Sequence, residues 1–309
     1  MGTHPTATTR RTPRTRTNGD RETGPGSHPM NSHGTVRRIY VRPPHADAFA
    51  AWRAYGWHAE PDVEAAASEH AAFVDVLRSM VDDVVVGTTP VPGDPDAVYA
   101  FDPTLVTDGG VIPLRPGKEG RRGESAIVAA ELERAGCSIL PALTSPATAE
   151  GGDMFFLDDH TLLVGLGYRT NIEGVDQLRT RLAAQDVEVR TFDLPHFHGP
   201  GECLHLMSFI SMLDRDLAVV SLPMMPVRLV QLLQERGVSF VEVPEEEFAT
   251  MGPNVLALGP RRALAVAGNP VTRERMEAAG VDVTTYAGAH ISVNGDGGPT
   301  CLTRPLVRD

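Results

Sequence analysis

The sequence predicts an α/β fold of five pseudo-symmetric ββαβ units set in a ring around a central channel. Three observations predict it. A strand–turn–strand–helix pattern recurs along the chain, and a further β-branched segment follows each helix. Asp102, Asp153, His205, Asn254 and Cys301 stand at or near the start of successive hairpins, separated by 51, 52, 49 and 47 residues. A unit this small cannot cover its own apolar face, so neighbours must do it, and a ring is the economical closure.

The units follow in order. The first pairs Val98-Tyr99-Ala100-Phe101 with Val111-Ile112-Pro113-Leu114 across Asp108-Gly109-Gly110, and continues into a helix from about Gly123 to Ala135. The second pairs Met154–Leu157 with Thr161–Val164, with a helix from about Gly174 to Ala184. Phe209–Leu213 and Leu217–Val220 form the third hairpin, with a helix ending near Arg236; Val255–Leu258 and Ala263–Val266 form the fourth, with a helix ending near Gly280. The strands expected after the four helices are Gly136–Leu140, Val187–Phe192, Val238–Val243 and Val281–Tyr286. The fifth unit is closed by both ends of the chain: Arg38–Arg42 and a helix over Ala46–Met80 at one end, Thr300–Val307 at the other.

Composition narrows the function. A chain of 309 residues with 41% hydrophobic content can bury a substantial core. No run approaches the length of a spanning helix, and no secretory leader is legible, so a cytoplasmic location is expected. Residues 1–38 hold seven arginines against Asp20 and Glu22, about +5, while the remainder carries about −17 of the total −12. The tail, residues 1–35, lacks apolar periodicity and reads as a disordered basic segment preceding one domain over 36–309. Arg10-Arg11 lacks the apolar region of a twin-arginine signal. The acidic balance argues against nucleic-acid binding.

The three cysteines, Cys137, Cys203 and Cys301, suit free thiols in a reducing compartment. Cys301 approaches the last strand through a Gly/Pro-rich turn; His205, between two leucines in an apolar strand, supplies an imidazole, and Glu150-Gly151-Gly152-Asp153 supplies carboxylates. A thiol nucleophile, a proton shuttle and a group to orient the shuttle are the parts of covalent catalysis by cysteine. The same residues also admit a plain reading: a buried structural thiol, a satisfied core histidine and a turn cap. His196, His198, Cys203 and His205 offer four soft ligands within ten residues, but their spacing matches no closed zinc pattern, and Pro195 and Gly199-Pro200-Gly201 mark a loop. No metal and no cofactor are expected.

These motifs together resemble the guanidine-modifying superfamily with the pentein, or α/β-propeller, fold, and within it the dimethylarginine dimethylaminohydrolases. The matching pieces are Asp96 and Asp102, Arg115-Pro116-Gly117-Lys118-Glu119-Gly120-Arg121-Arg122, Glu150-Gly151-Gly152-Asp153, Tyr168-Arg169-Thr170-Asn171, Leu204-His205-Leu206-Met207-Ser208, and Asp296 before Cys301. The resemblance implies that Cys301 attacks the guanidinium carbon, His205 protonates the departing amine and then activates water, and Glu150 orients His205. It further implies that Asp102 pairs with the guanidinium, Arg121 and Arg169 grip an α-carboxylate, Asp96 meets the α-amine, and Asp296 lines the pocket. Arginine deiminases of this superfamily generally carry an acidic residue two positions after the histidine. Here that position is Met207, so N-methylated arginine, hydrolysed to citrulline and a methylamine, is the expected substrate. Arginine deimination, amidino transfer and a non-catalytic pentein scaffold are the competing expectations. The expected partner is a small guanidino compound, for a monomer or homodimer without nucleic acid or membrane.

Overall fold

The computed structural model describes residues 31–202 and 204–309; most of the basic tail and Cys203 lie outside the described residues. The chain runs β1 (Val36–Val41), α1 (Trp52–Tyr55), α2 (Val63–Met80), β2 (Asp83–Val86), β3 (Thr104–Thr107), β4 (Gly110–Pro113) and α3 (Glu124–Arg134). It continues through β5 (Met154–Asp158), β6 (Thr161–Leu166), α4 (Ile172–Leu182), β7 (Glu188–Asp193), β8 (Ile210–Asp214), β9 (Leu217–Val220), α5 (Val227–Glu235) and β10 (Ser239–Glu242). The last elements are β11 (Leu256–Gly259), β12 (Arg262–Val266), α6 (Pro270–Ala278), β13 (Asp282–Tyr286) and β14 (Thr303–Arg308).

Three units share one plan: an antiparallel hairpin, a helix, and a third strand parallel to the second, giving the orders β5-β6-β7, β8-β9-β10 and β11-β12-β13. Their hairpins even slip register at the same place, between Phe156 and Asp158, Met212 and Asp214, and Ala257 and Gly259. The two ends of the chain meet as expected. β14 pairs antiparallel with β1, and β2 completes that sheet in parallel, a strand not anticipated from sequence.

Five apolar clusters join the units pairwise. Leu105 and Ile112 pack with Leu162 and Val164, Phe155 and Leu163 with Phe209 and Val220, and Leu213 and Val219 with Ala263 and Val283. Leu264 and Tyr286 pack with Ile39 and Phe73, and Tyr40 with Val111 and Leu132, which closes the ring. On its axis lies a cavity of about 60 Å³ whose lining takes Phe101, Phe155, Met207, Leu256 and Arg304 from the five units in turn. The predicted ring of five units is therefore the observed architecture, closed around this small cavity.

Three local expectations need correction. Val98–Phe101 is not a strand: Pro95 opens a single turn of 3-10 helix, Tyr99 N–H bonds Asp96 O at 2.8 Å, and Phe101 N–H turns to Cys301 O at 3.1 Å. Pro103 then has no N–H for a ladder, so pairing begins only at Thr104. Gly136–Leu140 touches β4 through one isolated bridge, Val111 to Ile139, which leaves β3-β4 two-stranded. The helix over Ala46–Met80 is broken: Gly56, at φ +86°, ends α1 in the left-handed region, and α2 starts afresh where Asp62 accepts the Ala65 N–H at 2.9 Å. Ala66, Phe73, Val74 and Leu77 lie on the buried stripe of α2. Phe73 and Leu77 are fully buried, each a gain of about 1.5–3 kcal/mol from burial.

Candidate active site

The Glu150-Gly151-Gly152-Asp153 motif is a single 3-10 turn that leads into β5. Its glycines are needed because other groups press against the backbone. A Cβ on Gly151 would stand 2.2 Å from Phe101 O, and one on Gly152 would stand 2.4 Å from His205 Nδ1 and 3.0 Å from Asp102 Oδ1. Gly152 N–H also donates to Asp102 Oδ1 at 2.8 Å. The Arg169-Thr170-Asn171 motif clasps this turn: Glu150 N–H donates to Thr170 Oγ1 at 3.2 Å, whose hydroxyl donates to Asp153 Oδ2 at 2.6 Å. Asp153 then accepts the Leu206 N–H at 3.2 Å and so holds the segment behind His205. His205 itself is not in a strand; it precedes a 3-10 turn, Leu206–Ser208, which bends the chain before β8.

His205 Nε2 lies 2.7 Å from Glu150 Oε2, and Nδ1 lies 4.0 Å from Asp102 Oδ1. Burial of Glu150 acts to raise its pKa, but the His205 hydrogen bond and the charges of His205, Arg169 and Arg121 outweigh it and hold the carboxyl far below the ordinary range. Asp102 is likewise held low: burial opposes, and His205 and Arg121 prevail. With Glu150 ionised, Nε2 of His205 carries a proton toward it. Burial raises Asp153 to about 6, in keeping with its place beneath the site.

Cys301 is half-buried before β14, its carbonyl bound by Phe101 N–H, which ties the thiol segment to the one bearing Asp102. Asn254 Nδ2 donates to Cys301 Sγ at 3.1 Å, and Asn254 Oδ1 accepts Thr300 N–H at 3.1 Å, fixing which amide atom faces the sulfur. The place of Asn254 among the five hairpin-start residues is legible in the sequence, but no chemical part is. The repeat spacing was the signal for its position; its role needed the contact. An amide donor favours the thiolate. Asn254→Asp retains the acceptor for Thr300 and sets a negative charge beside sulfur. Alkylation of Cys301 by iodoacetamide should then slow at least ~10-fold at pH 7, with its pH profile displaced upward; an unchanged profile would exclude this role.

Arg121, expected to grip a carboxylate, is engaged with groups of the chain itself. Its fork meets Glu124 at 2.6 and 2.9 Å, NH1 meets Asp102 Oδ2 at 2.6 Å, and NH2 reaches the carbonyls of Asp96 and Tyr99. Every nitrogen is committed and the side chain is only 3% exposed. It therefore steadies Asp102 from beneath. Arg169 is buried against Glu150 at 3.4 Å, beside a larger cavity of about 270 Å³ lined by Tyr168, Leu194, His196 and Leu204. Asp96 receives Trp57 Nε1 at 2.9 Å and Lys118 Nζ at 2.6 Å. Asp296 is exposed and meets His58 at 2.8 Å, so its carboxylate is outside the buried set; the neighbouring Gly295 and Gly297 abut Trp57 and Tyr99.

Behind the site, Arg304 lies 3.6 Å over the Phe101 ring and donates to Phe101 O, and burial lowers its pKa to about 9. One donor atom each from Asp102, Glu150 and His205 lies within 4.8 Å of the others, a metal-like spacing. Arg121 and Arg169 already stand against these carboxylates, so the chain's own cations compensate their charge. Of the sequence-predicted residues, the structure gathers Glu150, His205, Asp102, Arg121 and Arg169 into one buried network, with Cys301 joined to it through Phe101.

The described residues contain no helix long and apolar enough to cross a membrane. The family model for "N,N dimethylarginine dimethylhydrolase, eukaryotic" matches residues 46–308. The N(G),N(G)-dimethylarginine dimethylaminohydrolase of Pseudomonas aeruginosa is 28% identical over 250 residues, covering 79% of this chain and 89% of that protein. An arginine deiminase of Mycobacterium avium is 28% identical over 191 residues, covering 53% of this chain and 47% of that one. A cysteine-to-serine mutant of the Pseudomonas enzyme, solved with citrulline, superposes with a TM-score of 0.73 at 25% identity over 89% of this chain and all of that one. The chain thus belongs to the dimethylarginine dimethylaminohydrolase family of the pentein superfamily, as a hydrolase of guanidino C–N bonds.

Proposed function

We propose that the substrate is N-methylated arginine, hydrolysed to citrulline and a methylamine. The observation that carries the chemistry is the Glu150–His205 pair beside Asp102, with Cys301 tethered to the same segment. Asp102 receives the guanidinium, and the Cys301 thiolate adds to its carbon. His205 Nδ1, on the Asp102 side, delivers a proton to the departing amine, which leaves a thiouronium on sulfur. Water, losing a proton to the same nitrogen, adds to that carbon and expels the thiolate, so the ureido product forms with net consumption of one water.

The preference for an alkylated guanidine rests on Phe101 and Met207. Both are buried in the same apolar cluster, so neither supplies a carboxylate beside Asp102, and Glu150 is engaged with His205. An N-methyl group there gives up no hydrogen bond to a second carboxylate. Similarity to arginine deiminases favours unmethylated arginine as a second reading. Ureido product measured from asymmetric dimethylarginine, monomethylarginine and arginine separates the two: methylated substrates should lead in kcat/KM, and turnover of arginine alone would overturn the assignment.

Glu150→Gln tests the positioning of His205. The amide preserves shape and removes the charge that supports the imidazolium, so kcat should fall about 10²–10³-fold, and the limb of the pH–rate profile set by the imidazole should move to lower pH. A fall in kcat without that movement would assign Glu150 a packing role only.

A further inference from the structure

Two arginines of β14, Arg304 and Arg308, line the axial cavity of about 60 Å³. Each ties that strand to a different neighbour. Arg304 lies 3.6 Å over the Phe101 ring and donates to Phe101 O, in the first unit. Arg308 NH1 donates to Gly34 O at 2.6 Å and to Ala257 O at 3.0 Å, the latter in β11 of the fourth unit. Both side chains are buried, the residues being 5% and 8% exposed.

Their charge has no counterpart in the cavity. The acceptors they reach are neutral carbonyls, Arg304 Nε is buried without an acceptor, and among the described residues no Asp or Glu lines the space. Burial lowers Arg304 to about 9, with Asp102 pulling against it and Arg308 adding to it, and burial lowers Arg308 to about 10. Both therefore stay charged at neutral pH. A buried cation served only by carbonyl dipoles keeps most of its desolvation cost, and a counter-ion in the same space relieves it.

The walls select the ion. Ser211 and Thr300 also line the cavity, but the Ser211 hydroxyl donates to Pro253 O at 2.8 Å and accepts Val255 N–H at 3.1 Å, and the Thr300 hydroxyl donates to Val255 O at 3.2 Å. Much of the remaining wall is apolar, with Phe101, Phe155 and Met207. A phosphate or sulfate there would leave oxygens unpaired against apolar carbon, whereas a halide needs only charge and contact. A water requires about 10–15 Å³ of such space, so the cavity admits a small ion and excludes a nucleotide or a sugar.

We propose that the axial cavity is a halide site, filled by chloride, in which Arg304 and Arg308 share one counter-ion and β14 is thereby secured to the first and fourth units. The site stands independently of the reaction proposed above.

Crystals of the full chain soaked in bromide test it directly. Anomalous scattering should place one peak in the axial cavity beside the two guanidiniums, and a map without that peak would overturn the site. In solution, chloride raised from 1 to 100 mM against gluconate at fixed ionic strength should lower the unfolding constant, read from urea denaturation, at least ~5-fold. Arg304→Met and Arg308→Met should each reduce that response below ~2-fold, and either variant suffices where the other does not fold. A flat native response would overturn the proposal, even beside a bromide peak, which would then be binding at crystal concentration only. Equal responses in the native chain and the variants would assign the effect to general salt and overturn it as well.

Discussion

Cys301→Ser is expected to lower kcat at least ~10⁴-fold while leaving the thermal midpoint nearly unchanged. The loss is large because the hydroxyl is a far poorer nucleophile at neutral pH than a thiolate. No other described group stands where Cys301 does: its carbonyl is held by Phe101 and its sulfur by Asn254. The fold should tolerate the change because Asn254 Nδ2 can donate to Oγ as it does to Sγ, and the site is half-buried. Native protein quenched in acid during turnover should carry the mass of a thiouronium on the Cys301 peptide, absent from the variant. Retention of more than about a hundredth of the native rate would remove Cys301 from the nucleophile's position.

Arg121→Met is expected to cost about 3–5 kcal/mol of stability, read from urea denaturation. The argument is electrostatic. Arg121 is buried with Asp102 and Glu124; burial holds the Glu124 carboxyl well above its ordinary range, so removing Arg121 strips the counter-charge chiefly from the Asp102 carboxylate in a dry environment. The sign with pH follows from Asp102. Its folded pKa is depressed, so its stabilising contribution is present above the unfolded value and is lost as pH falls through the folded one. In the variant the part of that depression due to Arg121 is lost while the part due to His205 remains, so the stability deficit should be greatest at neutral pH and should shrink toward acid as Asp102 takes up its proton. Arg121→Lys, which keeps charge but not the fork, should lie between the two. Unchanged stability with a raised KM would return Arg121 to the part of a carboxylate grip.

The repeat was legible because each unit writes the same alternation of apolar strand, turn and helix. The hairpins β5-β6, β8-β9 and β11-β12 appear within a residue or two of their expected places. The first unit departs from the strand its composition predicts. Val98–Phe101 has strand composition, but its N–H groups serve turns and the Cys301 carbonyl, and that bend carries Asp96 and Asp102 into the site. His205 was misread as a strand residue for a similar reason: its apolar neighbours are buried around a turn.

Sequence by itself determined the ring of units and the closure of one sheet by both chain ends, because periodic apolar burial leaves marks along the chain; residue type and family resemblance marked Glu150, His205, Asp102 and Cys301 as candidates. Only the tertiary structure decided how the charges are spent. Arg121 and Arg169 are both arginines in matching motifs, yet one is buried against Glu124, Asp102 and two carbonyls, while the other pairs with Glu150 and flanks a cavity. Asp96 is taken by Lys118 and Trp57, and Asp296 turns outward to His58. The physical reason is that a charge's partner is set by distances of 3 Å or so between segments far apart in sequence, and no local pattern records which of several opposite charges arrives first.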